Sequence, residues 1–378
     1  MHINFKSVFI FSAVFLFGAG AVFFAKEWAG SRLEPTELEE TEEVEEIEEV
    51  VKVELPKSKG EIATVVVSSN MESRGDCHDH YTDGCDIFSA KVDLSTGEVT
   101  NVKQLTDNDF ADINPVLSLD GKMVYFTQST GSGDSVMGIS VDGGEAELLV
   151  KEANNPFPSP DGKTLYFTLK KKSLLATLDL TDATAKVQEL EKLISTHESQ
   201  VSRSGIVGFY KTGGSGRGSK TAQAMMYIPS TGEIVEVSPA DGTAHCFWNY
   251  DGSALYCNNA GGGSGGILSF SISEDFSVGE SSVAIKFPKF TDLESVDPQF
   301  DKDCINTAVF YGSFCDENQV MLTAGCYTKN MVDGEREQEF TQTMILDIDS
   351  GEYLPLGKNI VEAYGVPGGT TWEGSCVL

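Results

Sequence analysis

The chain has 378 residues, 40% of them hydrophobic, 38 glycines and a formal net charge of −31. Nucleic acid is excluded as a partner, because binding it needs cationic surface to displace counterions from phosphate. The length admits one large β domain or two ordinary ones, and the glycine count with few long helical stripes points to an all-β chain of short strands.

Residues 8–24, Val8 through Phe24, are an apolar run between Lys6 and Lys26. The run is at the lower edge of what spans a bilayer and longer than a typical signal-peptide core, so residues 1–25 read as a membrane anchor or signal segment. Cleavage after Ala19-Gly20-Ala21 would leave Val22-Phe23-Phe24 on the new terminus. An uncleaved anchor is therefore expected, with Lys6 and the α-amino group inside and the rest of the chain extracytoplasmic, periplasmic or at the cell surface.

Residues 26–60 form a linker. Between Glu34 and Glu54 eleven glutamates face one lysine, so that stretch carries −10 and the remainder −21. Such a segment cannot bury enough apolar surface for a core and reads as a disordered, self-repelling stalk.

From Glu61 to Leu378 the composition is that of strands and turns. Residues 63–69 and 86–94 are β-branched strands, the second ending in Ser95-Thr96-Gly97-Glu98. Similar turns recur at Asp142-Gly143-Gly144-Glu145, Ser230-Thr231-Gly232-Glu233 and Asp349-Ser350-Gly351-Glu352. A second device is clearest in Pro158-Ser159-Pro160-Asp161-Gly162-Lys163, where proline presets φ, aspartate bonds nearby backbone and glycine supplies a positive φ. The following Leu165 and Phe167 alternate with Thr164 and Tyr166, as in a half-buried strand.

That device recurs at Ser118-Leu119-Asp120-Gly121, then at Ser204-Gly205 and Asp251-Gly252, with glycine spacings of 41, 43 and 47. A degraded fifth copy is read at residues 297–304, followed by a strand at 308–312. Two hairpin turns per forty-odd residues make four strands per unit, which is the arithmetic of a β-propeller. The chain enters in what matches a second strand, so the missing first strand is expected from the tail, residues 366–373, closing six four-stranded antiparallel blades.

The repeated Pro-x-x-Ser-x-Asp-Gly-Lys-x-x-Tyr-Phe pattern with Thr/Ser-Gly-Glu turns between copies resembles the WD-repeat-like propeller of the TolB family, over about residues 61–378. The resemblance implies a fold and says little about ligand. No α/β domain precedes the repeats in this sequence and an anchor and cysteines are added, so TolB's lipoprotein partner is not carried over.

Eight cysteines in a plausible oxidising compartment read as disulfides. Cys246 and Cys257 flank Asp251-Gly252 symmetrically, and Cys77 and Cys85 would close a small loop. Cys304, Cys315, Cys326 and Cys376 leave three pairings open, of which one through Cys376 would latch the closing blade. No Cys-x-x-Cys spacing supports zinc. His78, Asp79 and His80 are the metal candidates, against the plainer reading of a solvated loop. Asp107, Asp109 and Asp112 lack the glycine and glutamate of a calcium loop and read as a surface turn. His197 and His245 have no evident nucleophile and read as blade-edge residues. Neither Gly262-Gly263-Ser264-Gly265-Gly266 nor the glycines of residues 213–220 sit in a catalytic or phosphate-binding context.

The expectation is a membrane-anchored recognition scaffold in the cell envelope, with no cofactor, binding a protein or peptide through its irregular loops. The alternative is a propeller-type lyase or hydrolase acting on a sugar or polyanion, which would need histidine and carboxylate groups converging on the axis.

Overall fold

A computed structural model describes residues 61–70, 85–194, 196–211, 222–238, 243–259, 266–286, 306–332, 335–364 and 370–378. The apolar run, the acidic linker, Cys77, His78, Asp79, His80, Cys304 and the glycine runs lie outside them. Among the described residues no helix is long and apolar enough to cross a membrane.

The described strands form six four-stranded antiparallel sheets. Blade 1 holds β1 (Ile62–Asn70), β2 (Asp86–Asp93) and β3 (Val99–Gln104). Blade 2 is β4 (Ala111–Leu117), β5 (Met123–Thr130), β6 (Gly133–Ser140) and β7 (Glu147–Lys151). Blade 3 is β8 (Ala153–Pro158), β9 (Thr164–Leu169), β10 (Leu174–Asp179) and β11 (Gln188–Ile194). Blade 4 is β12 (Thr196–Val201), β13 (Val207–Lys211), β14 (Gln223–Ile228) and β15 (Glu233–Glu236). Blade 5 is β16 (Thr243–Trp248), β17 (Ala254–Asn259), β18 (Gly266–Ile272) and β19 (Val278–Lys286). Blade 6 is β20 (Asn306–Phe314), β21 (Gln319–Val332), β22 (Glu335–Asp347) and β23 (Tyr353–Leu354). The final strand, β24 (Thr370–Val377), returns to blade 1 and pairs with β1, as the strand count predicts.

Local chemistry explains the hairpins. At the opening of the β8–β9 turn, Ser159 Oγ donates to Asp161 Oδ1 at 2.7 Å and accepts from Thr164 N at 2.9 Å, while Gly162 adopts φ +68°. Ser118 and Asp120 repeat this before Gly121, and Asn249 with Asp251 does so before Gly252. These hydrogen bonds hold the carboxyls of Asp120 and Asp161 below their usual pKa, and hydrogen bonds first from Ser253 and then from Asn249 do the same for Asp251.

Two readings of the strands need correction. Strand β9 is buried on both faces, with Leu165 and Phe167 at 0% exposure and Tyr166 at 8%. Neighbouring blades stack on either side of it, so alternation there reflects which neighbour a side chain meets. The fifth copy is also displaced. Residues 308–312 belong to the inner strand β20, and its turn opens at Cys315, whose N–H bonds Gln319 O. Cys315-Asp316-Glu317-Asn318 lacks Asp-Gly, and residues 287–305 lengthen the connection from blade 5, so the glycine-based alignment points to the wrong segment.

Helix α1 (Leu356–Tyr364) was not anticipated. Leu356 and Ile360, one turn apart, enter the core shared with Val65, Phe88 and Ile345. The expected Cys246–Cys257 disulfide is present, and one of the pairings left open for Cys376 is resolved. Cys246 pairs with Cys257 across the β16–β17 hairpin, and Cys315 joins Cys376, linking the β20 turn to the closing strand. Cys85 is also disulfide-bonded.

Candidate functional site

Strands β4, β8, β12, β16, β20 and β24 are the inner strands, and they run the same way in every blade. The turns that end β4, β8, β12, β16 and β20 therefore share one face of the ring. The second strands run the opposite way and end at the other face. Residues 71–84, 212–221 and 260–265, among the irregular segments expected to bind, lie outside the described residues.

On the turn face an axial cavity of about 150 Å³ opens between the inner strands. Four of the five hairpins send their second turn residue to the rim: Leu119, Pro160, Arg203 and Tyr250 occupy equivalent places after Ser118, Ser159, Ser202 and Asn249. The same turns thus also build the mouth, with Asp161 holding its turn and Pro160 lining the opening. Phe157, Val201, Trp248 and Phe314 form apolar walls below the rim.

The polar groups of the mouth are few and fixed. The Arg203 guanidinium lies over the Tyr250 ring, 3.7 Å from its centroid. Trp248 Nε1 donates to Gln200 O at 3.3 Å. Gln200 Nε2 donates to Gly312 O at 3.0 Å, reaching from blade 4 to blade 6. Gln200 also lines a second cavity, of about 40 Å³, together with Asn114, Asn155 and His245. Its amide therefore stands between the mouth and the deeper channel. No carboxylate or imidazole is among the described lining residues of the mouth, and Arg203 is its cation. Such a surface suits an apolar side chain carrying a nearby negative charge.

Asp112 departs from its reading as a surface turn. Asp112 is buried at the start of β4, where Asn108 Nδ2 donates to it at 2.7 Å and Gln128 Nε2 at 3.0 Å. Burial is the main cause that pushes its carboxyl up to about 6, and the nearby Asp86 carboxylate adds to the rise. Asp86 itself is raised, chiefly by burial, while Thr106 and Gln104 bond it. His245 is on inner strand β16 and lines the second cavity, and His197 is on inner strand β12; both strands are the axial edges of their blades, as expected.

The fold defines the class as a six-bladed β-propeller with an axial cavity. No protein-family model and no curated protein sequence matches the chain. Among solved structures, TolB from Acinetobacter baumannii is similar over 85% of this chain and 67% of its own, at 16% identity and a TM-score of 0.56. A chain of the nidogen/laminin complex is similar over 84% of this chain and 99% of its own, at 10% identity and TM-score 0.53. Hydrazine synthase of Kuenenia stuttgartiensis covers 84% of this chain with 47% of its own, at 11% identity and TM-score 0.53. These likenesses establish the propeller fold.

Proposed function

We propose that this chain is an extracytoplasmic recognition propeller that binds a peptide segment of a protein partner at its turn-face mouth. The observation that carries this is the mouth itself, an aromatic-walled depression whose cation, Arg203, stands at the rim of a strongly acidic protein. Its size is small beside the ~300–1,000 Å³ of ordinary small-molecule sites and fits a side-chain anchor better than a whole metabolite. An aromatic or aliphatic anchor would fill the walls, with a peptide carboxylate against Arg203.

The fold shared with TolB and with a chain of the nidogen/laminin complex, the latter a protein in complex with a protein, supports this reading. The two disulfides support an oxidising compartment. Residues 8–24 would anchor the propeller in the inner membrane and residues 26–60 would hold it away from the surface.

The test is a photo-crosslinking amino acid placed at Leu119 on the rim, or at exposed Leu148 on outer strand β7, in the full chain expressed in its own host. A discrete protein adduct from position 119 and none from 148 is expected. Adducts of equal yield and identity at both positions would contradict a mouth-directed partner.

A further inference from the structure

The mouth is not walled evenly. In blades 2 to 6 a turn joins the inner strand to the second strand, whereas in blade 1 the inner strand β24 and its neighbour β1 are not consecutive. Among the described residues the ring of turns is therefore interrupted at blade 1, where Cys376 and Val377 at the end of β24 bound the mouth. Beyond that gap the surface is apolar. Ile62, at the start of β1, is 52% exposed, and Leu119, on the rim turn of blade 2, is 36% exposed. Leu378, beside Val377 at the same end of the blade, is 43% exposed.

Strand alternation puts Ile62 and Leu119 on one seam. Ala63, Val65 and Val67 enter the core shared with blade 6, while Val66 enters the core shared with Leu117 and Val124 of blade 2. Thr64 lies on the Val66 side. Its Oγ1 is 3.8 Å from where a Cβ of Gly121 would stand, in the turn that carries Leu119. Ile62 continues that side by the period of two. Its backbone is held, because Glu61 O accepts from Leu94 N at 3.1 Å, and Thr64 Oγ1 accepts from Lys91 Nζ at 2.6 Å. Val377, opposite Thr64 in register, lines the mouth and packs against the same core between blades 1 and 2. An apolar track thus runs from the mouth past Val377 to Leu119 and Ile62, and exposed apolar surface continuous with a depression marks contact with a partner.

We propose that the peptide bound in the mouth leaves it over blade 1 and places a second apolar side chain against Ile62 and Leu119, so that the partner's motif carries two apolar residues rather than one. This rests on the peptide reading of the mouth. Charge sets the direction. Arg203, the cation among the described lining residues, stands on blade 4, across a six-bladed ring from blade 1, while Lys122 of blade 2 is paired with Asp120 at 3.1 Å. A carboxylate drawn to Arg203 sends the rest of the segment across the axis toward the gap. Because β1 lies one strand spacing of ~4.8 Å outside β24 and an extended chain advances ~3.3 Å per residue, the second apolar residue is expected about two or three positions from the anchor.

The experiment selects displayed random peptides on the full chain. Each enriched peptide, and its form with the second apolar residue replaced by alanine, is then titrated against the parent and against Ile62→Gln, Val283→Gln and Arg203→Glu proteins. Val283, on outer strand β19, is 51% exposed and serves as the matched control. Ile62→Gln should weaken the enriched peptides by roughly fivefold or more and leave the alanine forms unaffected, while Val283→Gln binds both as the parent does. Unchanged melting temperatures should show that the fold is kept. Enriched peptides that lose affinity for Arg203→Glu, yet carry no second apolar residue and are indifferent to Ile62→Gln, would overturn this proposal and leave the mouth standing. No enrichment, or indifference to both variants, would overturn the mouth and the track together. Self-association in sedimentation velocity that Ile62→Gln abolishes would give the track to a second copy of the chain and overturn the proposal.

Discussion

The backbone N–H of Leu117 donates to Ser375 Oγ at 2.7 Å, joining two residues 258 positions apart. Leu117 ends β4 and Ser375 belongs to β24, so this buried bond ties the closing strand to the next blade as well as to its own. Ser375→Ala would leave a buried N–H unpaired, and a loss of about 1–3 kcal/mol is expected from urea denaturation. Deleting residues 370–378 removes the whole inner strand of blade 1. It should abolish the single cooperative transition, and a truncated chain melting as sharply as the full one would contradict closure by β24.

The two described disulfides should contribute unequally. Cys315 and Cys376 are separated by 61 positions, Cys246 and Cys257 by 11. In the chain-entropy picture the longer loop stabilises by about 4 kcal/mol and the shorter by about 3 kcal/mol. Paired alanine substitutions at 315 and 376 should lower the melting temperature more than those at 246 and 257. The reverse order would mean that the β20–β24 latch is dispensable.

Gly374 is the tightest test of packing at the axis. A Cβ there would fall 2.1 Å from the backbone oxygen of Val66, which cannot turn aside as a flexible side chain can. Gly374→Ala should therefore unfold blade 1 or cost several kcal/mol, on the order of the largest single-site effects. Gly131, with nothing within 4 Å of its Cβ position, supplies the control, and Gly131→Ala should leave the denaturation midpoint nearly unchanged.

Asp112 gives the fold a pH dependence of definite sign. Its pKa is raised from 3.8 to about 6 on folding, so between these values the native chain binds more protons than the unfolded one. Stability from this group rises as pH falls from about 6 toward 4 and is lost as pH rises through 6. The two-unit shift is worth up to about 3 kcal/mol. Asp112→Asn should remove most of that slope while leaving the contribution of the turn aspartates. Those aspartates have lowered pKa values, so their stabilisation is present above the unfolded value near 4 and fades only in stronger acid. A parent-like slope in the variant between pH 4 and 6 would assign the titration to another group.

The elements readable in the sequence are those encoded locally. Ser-x-Asp-Gly specifies its own turn through the Ser159 and Asp161 side chains, and Cys246 and Cys257 announce their pairing by symmetry about Asp251-Gly252. The closing strand follows from counting, because an odd strand at each end of a propeller has one place to go. What escaped the sequence is convergence. Leu119, Arg203 and Tyr250 form a mouth only after blades 2, 4 and 5 meet, and Ile62 comes beside it only because β1 pairs with β24. Asp112 reads as a surface turn because Asp107 and Asp109 precede it, yet strand pairing draws it beneath Gln128. Blade 6 was misplaced because its turn carries Cys315-Asp316-Glu317-Asn318 where the other copies have glycine.

The most direct measurement of recognition at the mouth is a selection of displayed random peptides against the full chain, followed by affinity of the enriched peptides for the parent and for Arg203→Glu and Tyr250→Ala proteins. Arg203 is exposed and Tyr250 half-buried against the core around Phe247 and Phe314; both belong to turns rather than to the inner strands, and the melting temperature of each variant checks that the fold is kept. The account predicts enrichment of sequences with an aromatic or aliphatic residue beside a carboxylate, and a loss of roughly tenfold or more in affinity for the charge-reversed variant, equivalent to about 1.4 kcal/mol. Enriched peptides that bind both variants as tightly as the parent would contradict it.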